Sequence, residues 1–356
     1  MKVLADASLP GLDQAFPEPF CLTRYTQANE IGPLLVGQDV LLCRANLKVN
    51  QALLKTHSLG YVATASSGSD HLDTQWLASQ NIQVIDAKGC NARAVADYVV
   101  SCLAYLHQQQ LIKGQRAGII GFGEVGTRVQ ARLEAAGFIT RVYDPLKGLN
   151  TPLEDLYQVD LLCIHAELHN RQPYPSQNLL DQQFLAHLKP GCVVVNAARG
   201  GIIDEHALLK LGDKFIYCTD VYLDEPNVNP HIIAQATLCT PHIAGHSLEA
   251  KYRAVNRVSE VLHQIAELPL PTFASPEMSE PTPLESNKTW QEQILSLYNP
   301  LEETLRLKQA KNLKETFLQV RKEHQNRHDF QLYAAGDLDV QTKALLGFGK
   351  QVSTPY

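Results

Sequence analysis

The sequence predicts an α/β protein, with two doubly wound parallel-sheet domains followed by a small C-terminal α+β module. Three observations predict it. Short apolar runs alternate with helix-length stretches in two successive series. In the second series a glycine-rich turn joins one such run to a helix. A proline-rich stretch over 268–288 then separates both series from a mainly helical tail. The 356 residues exceed one ordinary domain, which takes roughly 100 to 200.

In the first series, residues 2–4, 40–43, 61–65 and 82–85 read as strands, with 49–55 and 72–80 as helices between them. A long amphipathic helix over 94–110 opens the second series, whose strands are 117–120, 141–143, 161–164, 193–196, 216–219 and 237–240. Residues 247–267 contain neither Gly nor Pro and read as one helix. Beyond it, Pro269, Pro271, Pro276, Pro281 and Pro283 remove backbone donors and rule out a helix or inner strand. The tail has helical periodicity over 290–309, interrupted by Pro300, and over 312–326, with a strand expected at 330–334. The expected domains are a first sheet domain at 1–93 with a return segment at about 256–280, a second sheet domain at 94–255, and a C-terminal module at 281–356.

Composition narrows the function classes. With 45% hydrophobic and 19% charged residues the chain has a full core, and its net charge of -6 offers no basic field for nucleic acid. The opening residues lack the apolar run of a signal peptide or membrane span, so no membrane partner and a cytoplasmic location are expected. Cysteines occur singly without C-x-x-C spacing and read as small buried hydrophobes in a reducing compartment.

Gly121-Phe-Gly123-Glu124-Val125-Gly126 follows the strand 117–120 and opens a helix, the context of a dinucleotide fingerprint. Gly121 permits the turn, Gly123 admits a pyrophosphate and Gly126 lets helix and strand pack closely, while the helix N-terminus faces the phosphates. Both sheet domains are therefore expected to be Rossmann-like. Asp144 ends the next strand at the distance of the adenosine-ribose contact. Its carboxylate favours NAD over NADP by repelling a 2'-phosphate.

Three later strand ends carry the chemistry. Arg199 follows the strand 193–196, Asp220 and Glu225 follow 216–219, and His242 follows 237–240. A guanidinium fork binds the carboxylate of a 2-hydroxy acid, an imidazole removes the hydroxyl proton as hydride leaves C2, and a carboxylate on the other ring nitrogen fixes the tautomer. Arg199 is accordingly assigned to substrate, His242 to acid/base work and Glu225 to orienting His242. The pairs His165 with His169 and His242 with His246 have ligand-like spacing, but proline and glycine around His242 argue for a loop, so no metal is expected.

The segments GFGEVG, NAARGGIIDE, DVYLDEP and PHIAG, in this order, strongly resemble the D-isomer-specific 2-hydroxyacid dehydrogenases over at least residues 1–267. AKGCNARAVADYVV, ASSGSDHLD, PHIAGHSLEAK and FLQVRKEHQNRHDF look most like the branch that oxidises 4-phospho-D-erythronate in pyridoxal phosphate synthesis. That resemblance implies NAD as cofactor and a homodimer formed with the C-terminal module. It implies that Asp220 contacts the nicotinamide carboxamide, that Gly245 lies against the cofactor, and that Glu124, Val125, His165 and Ala197 belong to the same site. Substrate contacts are implied at Arg44, Ala45, Ser66, Ser67, Gly68, Arg199, His242 and His246. Ala45 replaces an expected serine, His246 a tyrosine, Ser66 a threonine, and His165-Ala-Glu-Leu a more usual H-x-P-L. For the phosphate, the sequence offers Arg44 and Lys48 after one strand and Ser66-Ser67-Gly68-Ser69 after another. The rival readings are a 3-phosphoglycerate dehydrogenase and an NAD-sensing binding protein without turnover.

Overall fold

The computed structural model describes residues 1–55, 57–149, 151–277, 284–324, 327–333 and 337–348. The chain divides into two compact units, Met1–Asn91 with Ser247–Ser279 and Ala92–His246 with Glu280–Tyr356. Among the described residues no helix is long and apolar enough to cross a membrane.

The first unit holds β1 (Lys2–Asp6), β2 (Cys21–Tyr25), β3 (Val40–Cys43), β4 (Tyr61–Thr64) and β5 (Gln83–Ile85). They form a parallel sheet in the order β2-β1-β3-β4-β5. Val-Leu-Leu-Cys of β3 is buried throughout because helices cover both faces of such a sheet, so its apolar run need not alternate. The helix Leu248–Ile265, capped by Ser247, lays Val255, Val258 and Leu262 against Val3, Val40 and Phe16 on one of those faces.

The second unit holds β6 (Arg116–Ile120), β7 (Ile139–Tyr143), β8 (Leu161–Ile164), β9 (Val193–Asn196), β10 (Ile216–Thr219) and β11 (Leu238–Cys239). All pairs are parallel, in the order β11-β10-β9-β8-β6-β7. The chain order reverses between β6 and β8, which creates the crevice where open α/β sheets take ligands. The helix Ala92–Gln108 is buried along most of its length against one face, and it carries Asp97, ion-paired to Arg132 in the core. The helices Trp290–Leu297, Leu301–Lys308 and Leu313–Glu323 pack on this same unit, with Ile294 joining one face's core and Leu307 and Phe317 the other's.

Several local expectations change. Residues 49–55 form turns, with Val49 bridged to Leu72 and the Asn50 side chain accepting from Leu53 N, so the local hydrogen bonds replace a helix. The edge strand β2 was not anticipated, nor were the short helices Ala28–Leu34, Gln182–His187, Glu205–Leu211 and Pro230–Gln235. The expected strand 330–334 is a 3-10 turn over Phe330–Tyr333, with residue 334 outside the described residues, so the described part of the module is helical rather than α+β. Residues 325–326, Pro281 and Pro283 also lie outside them. The return to the first unit begins at Ser247 instead of near 256, and the segment after 280 groups with the dinucleotide sheet instead of standing apart.

Candidate active site

The glycine turn leaves β6, and the helix Glu124–Ala135 starts directly after Gly123. Gly121 has φ 88°, and a Cβ there would come within 2.4 Å of Ala166 N, so the crossing with the end of β8 demands glycine. A Cβ on Gly126 would lie 2.1 Å from Gly121 O, the close helix–strand approach that the fingerprint predicts. At Gly123 an added Cβ would meet nothing within 4 Å. The turn therefore fits a dinucleotide, because its middle residue is open to an approaching pyrophosphate while its flanks are closed. Asp144 Oδ2 accepts from Phe122 N at 2.7 Å, which ties the acid at the end of β7 to the turn and leaves its other oxygen for ribose hydroxyls. Glu124 pairs with Arg128 at 2.8 Å one turn along the helix, and Val125 packs towards the core. His165, at the end of β8, has both ring nitrogens buried without a partner, and burial pushes its pKa down to about 3. A neutral imidazole held dry at the crevice suits a bound cofactor group.

β9, β10 and β11 are neighbours, so Arg199, Glu225 and His242 follow three adjacent strand ends on one edge. Asn196 shapes the first loop, accepting from Ala198 N at 3.2 Å and donating to Arg199 O at 3.1 Å, with Ala197 half-buried between. Arg199 Nη1 donates to Ala198 O at 2.8 Å. A Cβ on Gly200 would lie 1.9 Å from Tyr222 O, so the Arg199 loop rests directly on the loop that carries Glu225.

His242 Nδ1 lies 2.6 Å from Glu225 Oε2, and Glu225 Oε1 accepts from Tyr222 N at 3.0 Å. Both oxygens of the carboxylate are thereby directed, and the imidazole keeps Nε2 for a reactant. Burial alone would push the Glu225 carboxyl up, but the hydrogen bond and charge of His242 outweigh it and hold it below its ordinary value. His242 has φ 56°, a left-handed conformation costly for a residue with a side chain. Asp220 holds that backbone in place: Oδ1 accepts from Ile243 N at 2.7 Å and from Thr240 Oγ1 at 2.7 Å, and Oδ2 from Ala244 N at 2.9 Å. Burial raises the Asp220 carboxyl above its ordinary value.

The sequence reading placed Asp220 at the cofactor and did not foresee that it anchors the histidine loop. It also assigned nothing to Arg327, whose Nη2 donates to Ala244 O at 2.6 Å and Nε to His246 O at 2.9 Å, clamping the loop around Gly245 from the other side. No spacing signal links Arg327 to residues more than eighty positions away. His246 packs its ring 6.3 Å from that of His324, and burial pushes its pKa well down.

The remaining expected residues lie in the first unit, after β3 and β4. Arg44 Nε pairs with Asp6 Oδ2 at 2.8 Å, and Ala45 is exposed beside it. Ser66 Oγ donates to Gly68 O at 2.7 Å, and Ser67 Oγ accepts from Gly89 N at 3.1 Å, so these hydroxyls organise their own loop.

Residues 102–244 match the family model described as D-isomer specific 2-hydroxyacid dehydrogenase, NAD binding domain. The chain is 57% identical to an erythronate-4-phosphate dehydrogenase of Legionella pneumophila, over 98% of this chain and 100% of the relative. The chain belongs to the erythronate-4-phosphate dehydrogenase branch of that family. A Coxiella burnetii member of the branch is 35% identical to this dehydrogenase over 87% of its length and 88% of the relative. Among solved structures, a 3-phosphoglycerate dehydrogenase of Entamoeba histolytica with bound NAD matches it with a TM-score of 0.64 and 20% identity, over 75% of this chain and 95% of that one. An NAD-dependent formate dehydrogenase of Staphylococcus aureus in complex with NAD gives a TM-score of 0.60 and 23% identity over 78% and 100%. At that identity these two show the fold. The dehydrogenase is an NAD-binding oxidoreductase.

Proposed function

We propose that this dehydrogenase oxidises 4-phospho-D-erythronate at C2 to 2-oxo-3-hydroxy-4-phosphobutanoate, a step towards pyridoxal 5'-phosphate. The observation that carries the chemistry is the 2.6 Å contact between His242 and Glu225, one loop away from Arg199. Glu225 fixes Nδ1, so His242 receives the C2 hydroxyl proton at Nε2. Arg199 binds the C1 carboxylate and orients C2. Gly121, Gly123, Gly126 and Asp144 hold NAD, which when bound supplies the hydride acceptor. The substrate is supported by the name of the Legionella relative, at 57% identity over essentially the whole of both chains.

A homodimer formed through the C-terminal segment and a cytoplasmic location complete the reading. Both rest on the resemblance to the family, and the second is supported by eight free cysteines, seven of them buried. The test of the substrate is NADH formation by the purified protein with 4-phospho-D-erythronate, 3-phosphoglycerate and D-lactate. The highest kcat/KM belongs to 4-phospho-D-erythronate, and a preference for either other acid would overturn the assignment.

A further inference from the structure

The charge that would meet the substrate's phosphate is not obvious from the sequence, and the structure redirects the search. Arg44, the expected candidate, already faces the Asp6 carboxylate at 2.8 Å. Within the second unit a different cation, Arg321, lies close enough to Glu225 and His246 for its charge to act on both. The helix Leu313–Glu323 is capped by Asn312, whose side chain accepts from Glu315 N, and Phe317, Arg321 and His324 fall at positions i, i+4 and i+7, on one face of its axis. Both ends of that stripe are fixed. Phe317 is fully buried with its ring 5.8 Å from that of Tyr222, the residue whose N–H binds Glu225. His324 lies 6.3 Å from His246, four residues after His242, and is held by Glu303 at 3.0 Å. Arg321, between them, is thus carried over the segment that joins the Glu225 loop to the His242 loop.

Arg321 is half-buried and makes no hydrogen bond or ion pair among the described residues. Its charge is nonetheless felt on both sides. At Glu225 burial pushes the carboxyl up, and Arg321 adds to the stronger pull of His242 that holds it down; at His246 Arg321 adds to burial in disfavouring protonation. A guanidinium left without a partner beside a hydride-transfer site is a ready receptor for an anion, and its planar fork matches phosphate oxygens.

We propose that Arg321 is a specificity-determining residue that binds the phosphate monoester of the substrate, so that the C-terminal segment completes the active site. This rests on the substrate reading above. C4, which bears the phosphate, is two carbons from C2, so a cation adjoining the His242 pair is suitably placed for it. The C1 carboxylate is left to Arg199.

The test compares kcat/KM for 4-phospho-D-erythronate with that for unphosphorylated D-erythronate in wild type, Arg321→Ala and Arg321→Lys. Losing a charge-assisted hydrogen bond should cut the ratio of the two constants on the order of 10- to 100-fold in the alanine variant, mainly through KM for the phosphate ester. The lysine variant should retain part of the ratio, because it keeps the charge and loses the fork. Inorganic phosphate, used as a competitor, should inhibit wild type more strongly than the alanine variant. Equal losses on the two substrates would mean that Arg321 acts only through Glu225 or through packing, and would overturn the proposal. A wild-type preference for the phosphate ester that survives in Arg321→Ala but collapses in Arg44→Ala would overturn it alone. Wild type that turns over both acids equally would overturn the substrate reading and this inference with it.

Discussion

Asp220 Oδ1 accepts the backbone N–H of Ile243 at 2.7 Å, immediately after His242. With Ala244 N on its other oxygen, this carboxylate supports the one catalytic residue that sits in left-handed backbone. Asp220→Asn places an amide donor against at least one of these N–H groups. An unsatisfied buried donor costs about 1–3 kcal/mol, so denaturant unfolding should show a loss of that size. Displacement of the loop should lower kcat by about tenfold or more. Unchanged kcat would show that the loop holds its shape without Asp220.

The sign of the Glu225 shift makes a pH prediction. Its carboxyl lies below the ordinary value in the folded chain, because His242 outweighs the upward push of burial. A carboxyl depressed on folding stabilises the native state above its unfolded value of about 4.3, and that contribution is lost as the pH falls through the folded value. Stability should therefore decline from about pH 5 towards pH 3, and Glu225→Gln should decline less. The slope will not vanish. Asp6 and Asp160 are also held low, since the hydrogen bonds of Ser8 and Arg44 in one case, and of Lys189 and the Arg116 amide in the other, exceed the effect of burial. Urea midpoints measured across that range decide it, and parallel curves for the two proteins would contradict the assignment.

Cofactor choice rests on Asp144. One oxygen is held by Phe122 N, which aims the other at the ribose position of the fingerprint. Asp144→Asn removes the repulsion of a 2'-phosphate while keeping an acceptor. The ratio of kcat/KM for NADP over NAD should rise by about tenfold or more. No rise would place the ribose elsewhere.

The buried ion pair of Arg132 and Asp97 joins two helices, and Asp97 Oδ2 also accepts from Phe330 N at 3.0 Å in the C-terminal segment. Arg132→Met strands a carboxylate that is 1% exposed, which should cost about 3–5 kcal/mol in unfolding experiments. Adding Asp97→Asn should recover part of that loss, because the amide oxygen still serves Phe330 N. A single variant as stable as wild type would show that the pair contributes nothing.

What could be read in the residues follows their physics. β3, β8 and β9 were legible because burial on both faces leaves an uninterrupted apolar run. β2 was not, since this edge strand mixes exposed and buried positions and follows Phe16-Pro17-Glu18-Pro19-Phe20, which suggests a loop. Glu225 and His242 announced themselves as an acid and an imidazole after successive strands. Asp220 and Arg327 did not, because both bind backbone atoms, and no residue type marks the amide or carbonyl that a distant side chain will meet. The phosphate contacts expected at Arg44 and Ser66 followed local composition, which does not reveal that Arg44 Nε also faces Asp6 and that Ser66 Oγ donates to Gly68 O.

The most direct check is the turnover of His242→Ala with 4-phospho-D-erythronate and NAD, measured beside NAD binding by the same protein. Loss of the proton acceptor should lower kcat on the order of 10² to 10⁴ while NAD binds as in wild type. Full turnover by this variant would contradict the account.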